Sequence, residues 1–169
     1  SGADLSGADL TGVNLRYANL TNANLSNVKL KYAGLTGAGL TCVDLSGADL
    51  SCAKLKYANL SRADLSRADL SGANLSRAVL EGANLIDADF FEADLTGADL
   101  RYADLTCADL SYALLIDVNL TGTILKKVTI SGAYITKSDL TDIEISYYKE
   151  GYDCHQGIDL SKIKLKKEN

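Results

Sequence analysis

The chain has 169 residues, a length that fits one domain. It carries a formal net charge of −5, one His, and no Pro, Met or Trp. That balance counts against binding to phosphate chains and leaves little material for acid–base catalysis. No run approaches the roughly 18 apolar residues of a membrane span, and no signal peptide is visible.

From Ser1 to Ile145 the chain repeats one five-residue unit without interruption, as in Ser46-Gly47-Ala48-Asp49-Leu50 and Ser51-Cys52-Ala53-Lys54-Leu55. Every fifth residue is Leu, except for Phe90, Ile130, Ile135 and Ile145. Two places earlier stands Ala or Val, except for Thr123, Ser138 and Ile143. An α-helix would scatter these leucines, because five residues advance it by about 140°. One continuous strand fails as well, since side chains alternate with period two and an odd repeat flips the apolar pair at every unit. The chain keeps all of these pairs inside only by turning once per unit.

Each unit then reads as a short extended piece, such as Ala48-Asp49-Leu50 with Asp49 outward, followed by a two-residue corner. Gly and Asn recur at the second corner position (Gly7, Gly12, Asn22, Asn27, Gly37, Gly47), where a turn can require φ > 0. Arg, Tyr and Cys also stand there, from which the expectation is that not every corner is of that kind.

These units resemble the pentapeptide repeat family, whose unit is A(D/N)LXX. The resemblance covers Ser1–Ile145 and resumes at Ile158-Asp159-Leu160 and Ile163-Lys164-Leu165. It implies an all-β fold, a right-handed quadrilateral β-helix with four units per coil and about seven to eight coils in all. Four corners per coil follow from the resemblance, because the turning argument does not set their number.

In chain order, the first two coils, Ser1–Leu40, open directly on a repeat. Their β-edge calls for cover, either from residues upstream of Ser1 or from a second subunit in a homodimer through a terminal edge. The next four coils, Thr41–Leu120, hold thirteen acids (Asp44, Asp49, Asp64, Asp69, Glu81, Asp87, Asp89, Glu92, Asp94, Asp99, Asp104, Asp109, Asp117) against six bases (Lys54, Lys56, Arg62, Arg67, Arg77, Arg101), a net of −7. With four units per coil, Asp49, Asp69, Asp89 and Asp109 stack in one column. Asp44, Asp64 and Asp104 fall in the neighbouring column, which Asn84 breaks. The bland reading of this ladder is repeat duplication, with Asp or Asn retained because each hydrogen-bonds the corner backbone. The functional reading is an anionic surface for a basic partner.

Outward apolar residues make a second candidate surface, a contact patch of Ile86, Phe91, Leu114, Ile116 and Tyr134. The corner tyrosines Tyr17, Tyr32, Tyr57, Tyr102 and Tyr112 read as surface packing over neighbouring rungs. Residues 146–169 read as a C-terminal cap, with a loop over 146–156 and two resumed repeats. Cys42, Cys52 and Cys107 fall at outward corners, which favours free thiols and a cytoplasmic setting. Cys154 and His155 are two adjacent metal-ligand types with no further His or Cys near them in sequence, so no metal site and no cofactor is expected.

No nucleophile–base pair or phosphate loop is present, and an interior of Ala and Leu leaves no room for a substrate pocket. The expected function is a non-enzymatic structural or protein-interaction module with no membrane partner and no direct contact with nucleic acid. The alternative comes from the resemblance. Some members of the family bind type II DNA topoisomerases by imitating duplex DNA with an acidic rod, which would make DNA gyrase the partner. This chain departs from those relatives in having no loop that interrupts Ser1–Ile145.

Overall fold

The computed structural model describes residues 2–135. Asp49 bridges Asp69, Asp69 bridges Asp89, and Asp89 bridges Asp109, all in parallel. The same offset runs from Asp4–Asn24 to Asp109–Thr129. Four five-residue units therefore make one coil, and the chain is a right-handed quadrilateral β-helix. Pairing extends to two residues in β1 (Leu114–Leu115) and β2 (Tyr134–Ile135), where Leu114 lies opposite Tyr134. Residues 146–169, together with Ser138, Ile143 and the Cys154-His155 pair, lie outside the described residues.

Four columns of outward residues define four walls. The first runs Asp4, Asn24, Asp44, Asp64, Asn84, Asp104, Ile124. The second runs Asp9, Lys29, Asp49, Asp69, Asp89, Asp109, Thr129. The third runs Asn14, Gly34, Lys54, Asn74, Asp94, Leu114, Tyr134, and the fourth Asn19, Gly39, Asn59, Val79, Asp99, Asn119.

Inside, the Leu and Ala columns form one continuous core from Ala23 to Ile135. Leu25 through Leu105 are fully enclosed, and Phe90 takes the place of Leu with no exposed surface. Each such Leu gains about 1.5–3 kcal/mol of transfer free energy. In the first coil, Leu5, Leu10, Leu15 and Leu20 are only partly buried, as a stack with contacts only between neighbouring coils requires. Thr123 replaces the usual Ala or Val, and its buried hydroxyl donates to the Leu100 carbonyl at 2.8 Å.

The repeat motif follows from where the backbone donors go, since buried N–H groups need partners. In the unit Asp49–Ala53, Leu50 N–H donates to the Asp69 carbonyl of the next coil at 2.7 Å, and Cys52 N–H to the Ser71 carbonyl at 2.8 Å. Asp49 N–H donates back to the Val28 carbonyl at 2.9 Å, and Ala53 N–H closes the turn on the Leu50 carbonyl at 2.9 Å. One donor of the five, Ser51 N–H, has no backbone acceptor in this pattern. Asp49 Oδ1 accepts it at 3.0 Å. Asp and Asn both carry that oxygen, which is why the outward position takes either.

The expectation that glycine-free corners differ from the others is overturned. Every second corner residue from Gly2 to Gly132 has positive φ, including Tyr17 (58°), Arg67 (59°), Cys107 (63°) and Tyr112 (59°). A side chain in this region costs about 1–3 kcal/mol and persists only where its surroundings over-determine it. Here they do. The corner N–H is fixed by the next coil, and the following N–H closes the turn, as Tyr17 N–H to the Thr36 carbonyl (3.0 Å) and Ala18 N–H to the Leu15 carbonyl (3.1 Å) illustrate.

Glycine serves a further purpose at three of these corners, Gly37, Gly122 and Gly132. A Cβ on Gly37 would sit 2.6 Å from the Tyr17 ring, and one on Gly122 would sit 2.6 Å from the Tyr102 ring. Tyr17, Tyr57, Tyr102 and Tyr112 thus lie over the rung of the following coil, as expected from the sequence.

Candidate functional site

The fold brings together the whole acidic ladder. Asp49, Asp69, Asp89 and Asp109 occupy successive rungs of the second wall. Asp44 and Asp64 do so on the first, with Asp104 beyond Asn84. All seven are half-buried, because each leans back to its corner. Asp44, Asp49, Asp64, Asp69, Asp89, Asp104 and Asp109 accept the N–H of Ser46, Ser51, Ser66, Ser71, Phe91, Thr106 and Ser111 at 2.8–3.0 Å. At Asp4 the same bond, from Ser6 N–H, holds the carboxyl below its usual range. At Asp9 the Thr11 hydroxyl, then its N–H, does likewise. At these two corners the bonds favour the ionised acid.

Charge is distributed unevenly around the coil. Across coils three to six, the first two walls and the corner between them hold eight acids, the seven of the ladder and Asp87, against Arg67 alone. That is a net of −7. The other two walls and the remaining corners hold five acids (Glu81, Glu92, Asp94, Asp99, Asp117) and five bases (Lys54, Lys56, Arg62, Arg77, Arg101), a net of zero. The entire excess of negative charge in these coils thus lies on two adjoining walls. Sequence reasoning missed Asp87 as part of this surface, although wrapping the chain at four units per coil places it at the shared corner.

Away from these walls Asp99 and Glu81 meet a base. Arg101 donates to Asp99 through Nε (2.8 Å) and Nη2 (2.7 Å), and to Glu81 through Nη2 (3.0 Å). The fork holds the Asp99 carboxyl below its usual value and raises the Arg101 guanidinium above its own.

The apolar candidates come together only in part. Leu114 and Tyr134 are paired on the third wall. Phe91, at the corner leading into that wall, meets Tyr112 edge-on with ring centroids 5.5 Å apart. Tyr112 therefore belongs with them, a residue the sequence reading had grouped only with the corner tyrosines. Ile116 sits half-buried at the corner beyond Leu115, and Ile86 at the corner between the acidic walls, one wall away from Phe91.

Cys42 and Cys52 are exposed free thiols, and Cys107 is exposed as well. Among the described residues, no three His, Cys, Asp or Glu are grouped to hold a metal ion. Among them, too, no helix is long and apolar enough to cross a membrane.

Comparison with known proteins places this geometry. The family model of pentapeptide repeats matches in eight copies, over residues 1–31, 33–67, 63–101 and 103–142. No curated protein sequence matches the chain. Among solved structures, a trypsin-treated form of QnrB1, a plasmid-mediated fluoroquinolone resistance protein, is similar with a TM-score of 0.63 at 22% identity, covering 83% of this chain and 78% of that one. At that identity the likeness is one of fold. HetL, a pentapeptide repeat protein involved in heterocyst differentiation regulation in the cyanobacterium Nostoc sp. strain PCC 7120, is 31% identical over 85% of this chain and 83% of its own, with a TM-score of 0.32. Another pentapeptide repeat protein of Nostoc PCC 7120 is 36% identical over 70% of this chain and 84% of its own, with a TM-score of 0.47.

Proposed function

Because this chain belongs to the pentapeptide repeat family, whose members are in general non-enzymatic, we propose that it is an interaction rod whose two acidic walls occupy a protein surface built for duplex DNA. The partner proposed is a type II topoisomerase, DNA gyrase. One observation carries the reading: the net −7 of coils three to six is concentrated on the first and second walls.

The magnitude is adequate. Four coils at about 4.8 Å each span about 19 Å. Seven charges over that length are about two-thirds of the linear density of duplex DNA, one charge per about 1.7 Å. Stacked carboxylates about 4.8 Å apart repel by roughly 1 kcal/mol in bulk water. A partner surface rich in Lys and Arg relieves that repulsion on binding, so association is steered electrostatically and weakens as salt rises.

The family resemblance supplies the partner class, and the fold shared with QnrB1 is compatible with it. A second reading, a module for a different protein partner, rests on the strip of Phe91, Tyr112, Leu114 and Tyr134. The test is a gyrase supercoiling assay with purified protein across a salt series. The proposal expects a change in supercoiling or in quinolone sensitivity at low salt that fades at high salt. An enzyme indifferent to the protein at every salt concentration would leave the apolar strip as the surface to pursue.

A further inference from the structure

On the side diagonally opposite the acidic walls lies a surface of the other sign. The third and fourth walls of the first four coils, with the corners that enter and join them, comprise residues 11–20, 31–40, 51–60 and 71–80. These forty residues contain five bases, Arg16, Lys31, Lys54, Lys56 and Arg77, and no Asp or Glu. The stripe ends in the fifth coil, where Glu92, Asp94 and Asp99 appear.

The bases are interleaved with aromatic rings. Arg16 lies 6.0 Å from the centroid of Tyr17, Lys31 5.4 Å from that of Tyr32, and Lys56 5.1 Å from that of Tyr57. Arg77, one coil above, lies 5.9 Å from the Tyr57 centroid and donates to its hydroxyl at 3.2 Å. The rings are open to solvent: Tyr17 is 73% exposed, Tyr32 57% and Tyr57 49%. Tyr17 lies against Gly37 of the next coil. Between the Tyr32 corner and the corner of Tyr17 and Tyr57 the outward position of the second coil is Gly34, which carries no side chain.

We infer that this acid-free face of Arg16, Tyr17, Lys31, Lys54, Lys56 and Tyr57 binds single-stranded nucleic acid. A phosphate chain needs a line of cations, and unpaired bases need exposed rings on which to stack, and this face alternates the two. The net charge of −5 does not prevent binding, because the opposing charges are segregated. The corner of Arg16, Tyr17, Lys56, Tyr57 and Arg77 lies diagonally across the coil from the corner that joins the acidic walls; walls that face each other stand about 10 Å apart at the backbone, with side chains projecting outward, whereas screening sets in over about 8 Å at physiological salt.

The test is fluorescence anisotropy of a labelled oligothymidylate and a labelled oligouridylate of about 15 nucleotides, titrated with the full chain. Binding is expected at about 50 mM salt, with a log–log salt slope no steeper than about −3.5, the value for five cations on a single strand. Tyrosine emission should fall on binding, with no Trp present to obscure it. Lys54→Glu with Lys56→Glu should weaken binding at least tenfold and flatten the slope by about 1.4. Tyr57→Asn, which suits the corner because Asn22 and Asn27 hold the same left-handed conformation, should weaken binding severalfold and reduce the quenching. Circular dichroism of each variant should match the parent. No binding at that low salt concentration overturns the inference. So does binding that the charge reversal leaves unchanged. Competition by polyglutamate as strong as by oligonucleotide, with Tyr57→Asn silent, would make this a face for an acidic polypeptide and overturn it too. None of these variants touches the acidic walls, so this result is separate from the outcome with gyrase.

Discussion

Asn84 donates its side-chain amide to Asp64 Oδ1 at 3.1 Å across one coil. It stands where the first wall would otherwise present a third consecutive carboxylate above Asp44 and Asp64. A repulsive contact is thereby replaced by a hydrogen bond, and the ladder shows its electrostatic cost at the point where it is interrupted.

Asn84→Asp should therefore destabilise the rod by about 1–2 kcal/mol at low ionic strength, since it adds like-charge neighbours in Asp64 and Asp104 and loses the amide donor. Urea unfolding measured at low salt and again at about 0.5 M salt checks this, because the deficit should shrink as salt screens the column. A deficit unaffected by salt would show that repulsion is not its source.

Asp69 does two things at once: it repels its neighbours in the column and accepts Ser71 N–H at 2.9 Å. Asp69→Asn keeps the acceptor and removes the charge, so it should be neutral or slightly stabilising. Asp69→Ala removes both and leaves the corner donor without its oxygen, at about 1 kcal/mol by analogy with lost helix caps. The quantity to measure is the difference between the two variants, which also decides whether neutralised ladders can be used as folded controls.

Gly12 and Gly37 share a left-handed φ, 68° and 66°, but only Gly37 lies under a ring. Alanine at either position should cost about 1 kcal/mol through the backbone. Gly37→Ala should cost more, because its Cβ would meet the Tyr17 ring at 2.6 Å. In a Tyr17→Asn background the excess should vanish, which thermal unfolding of the four variants will show.

The Asp99–Arg101 fork gives a prediction in pH. The folded carboxyl titrates below its unfolded value of about 3.9. Its contribution to stability is therefore present above that pH and is lost as pH falls through the folded value. Asp99→Asn should be less stable than the parent at neutral pH. The gap should close on acidification below about pH 4, in unfolding curves measured from neutral pH down into that acid range.

The period of five made the fold legible. An odd interval between inward leucines permits a turn at every unit and little else, and Asp49, Asp69 and Asp89 fell into one column once the coil length was known. The number of corners was not legible from period alone, because turning arguments are indifferent to whether three or four units close a coil. The uniform left-handed corners were also hidden. Tyr, Arg and Cys disfavour that conformation locally, and the ladder bonds that override the preference reach almost a full coil along the chain, as from Tyr17 to Thr36. Surface chemistry suffered from averaging. A net charge describes a sphere, whereas this rod separates Asp87 and the ladder from Arg16, Lys31, Lys54 and Lys56 by placing them on different walls.

The central claim is that the location of negative charge, and not its amount, makes this rod a partner for gyrase. The direct measurement compares two variants of equal charge in the supercoiling assay at low salt. One carries Asp49→Asn, Asp69→Asn, Asp89→Asn and Asp109→Asn on the second wall. The other carries Glu81→Gln, Glu92→Gln, Asp94→Asn and Asp117→Asn, all outside the acidic walls and the corner between them. The account predicts that the first loses its effect on gyrase while staying folded, and that the second keeps it. Equal loss in both, or retention by the first, would contradict it.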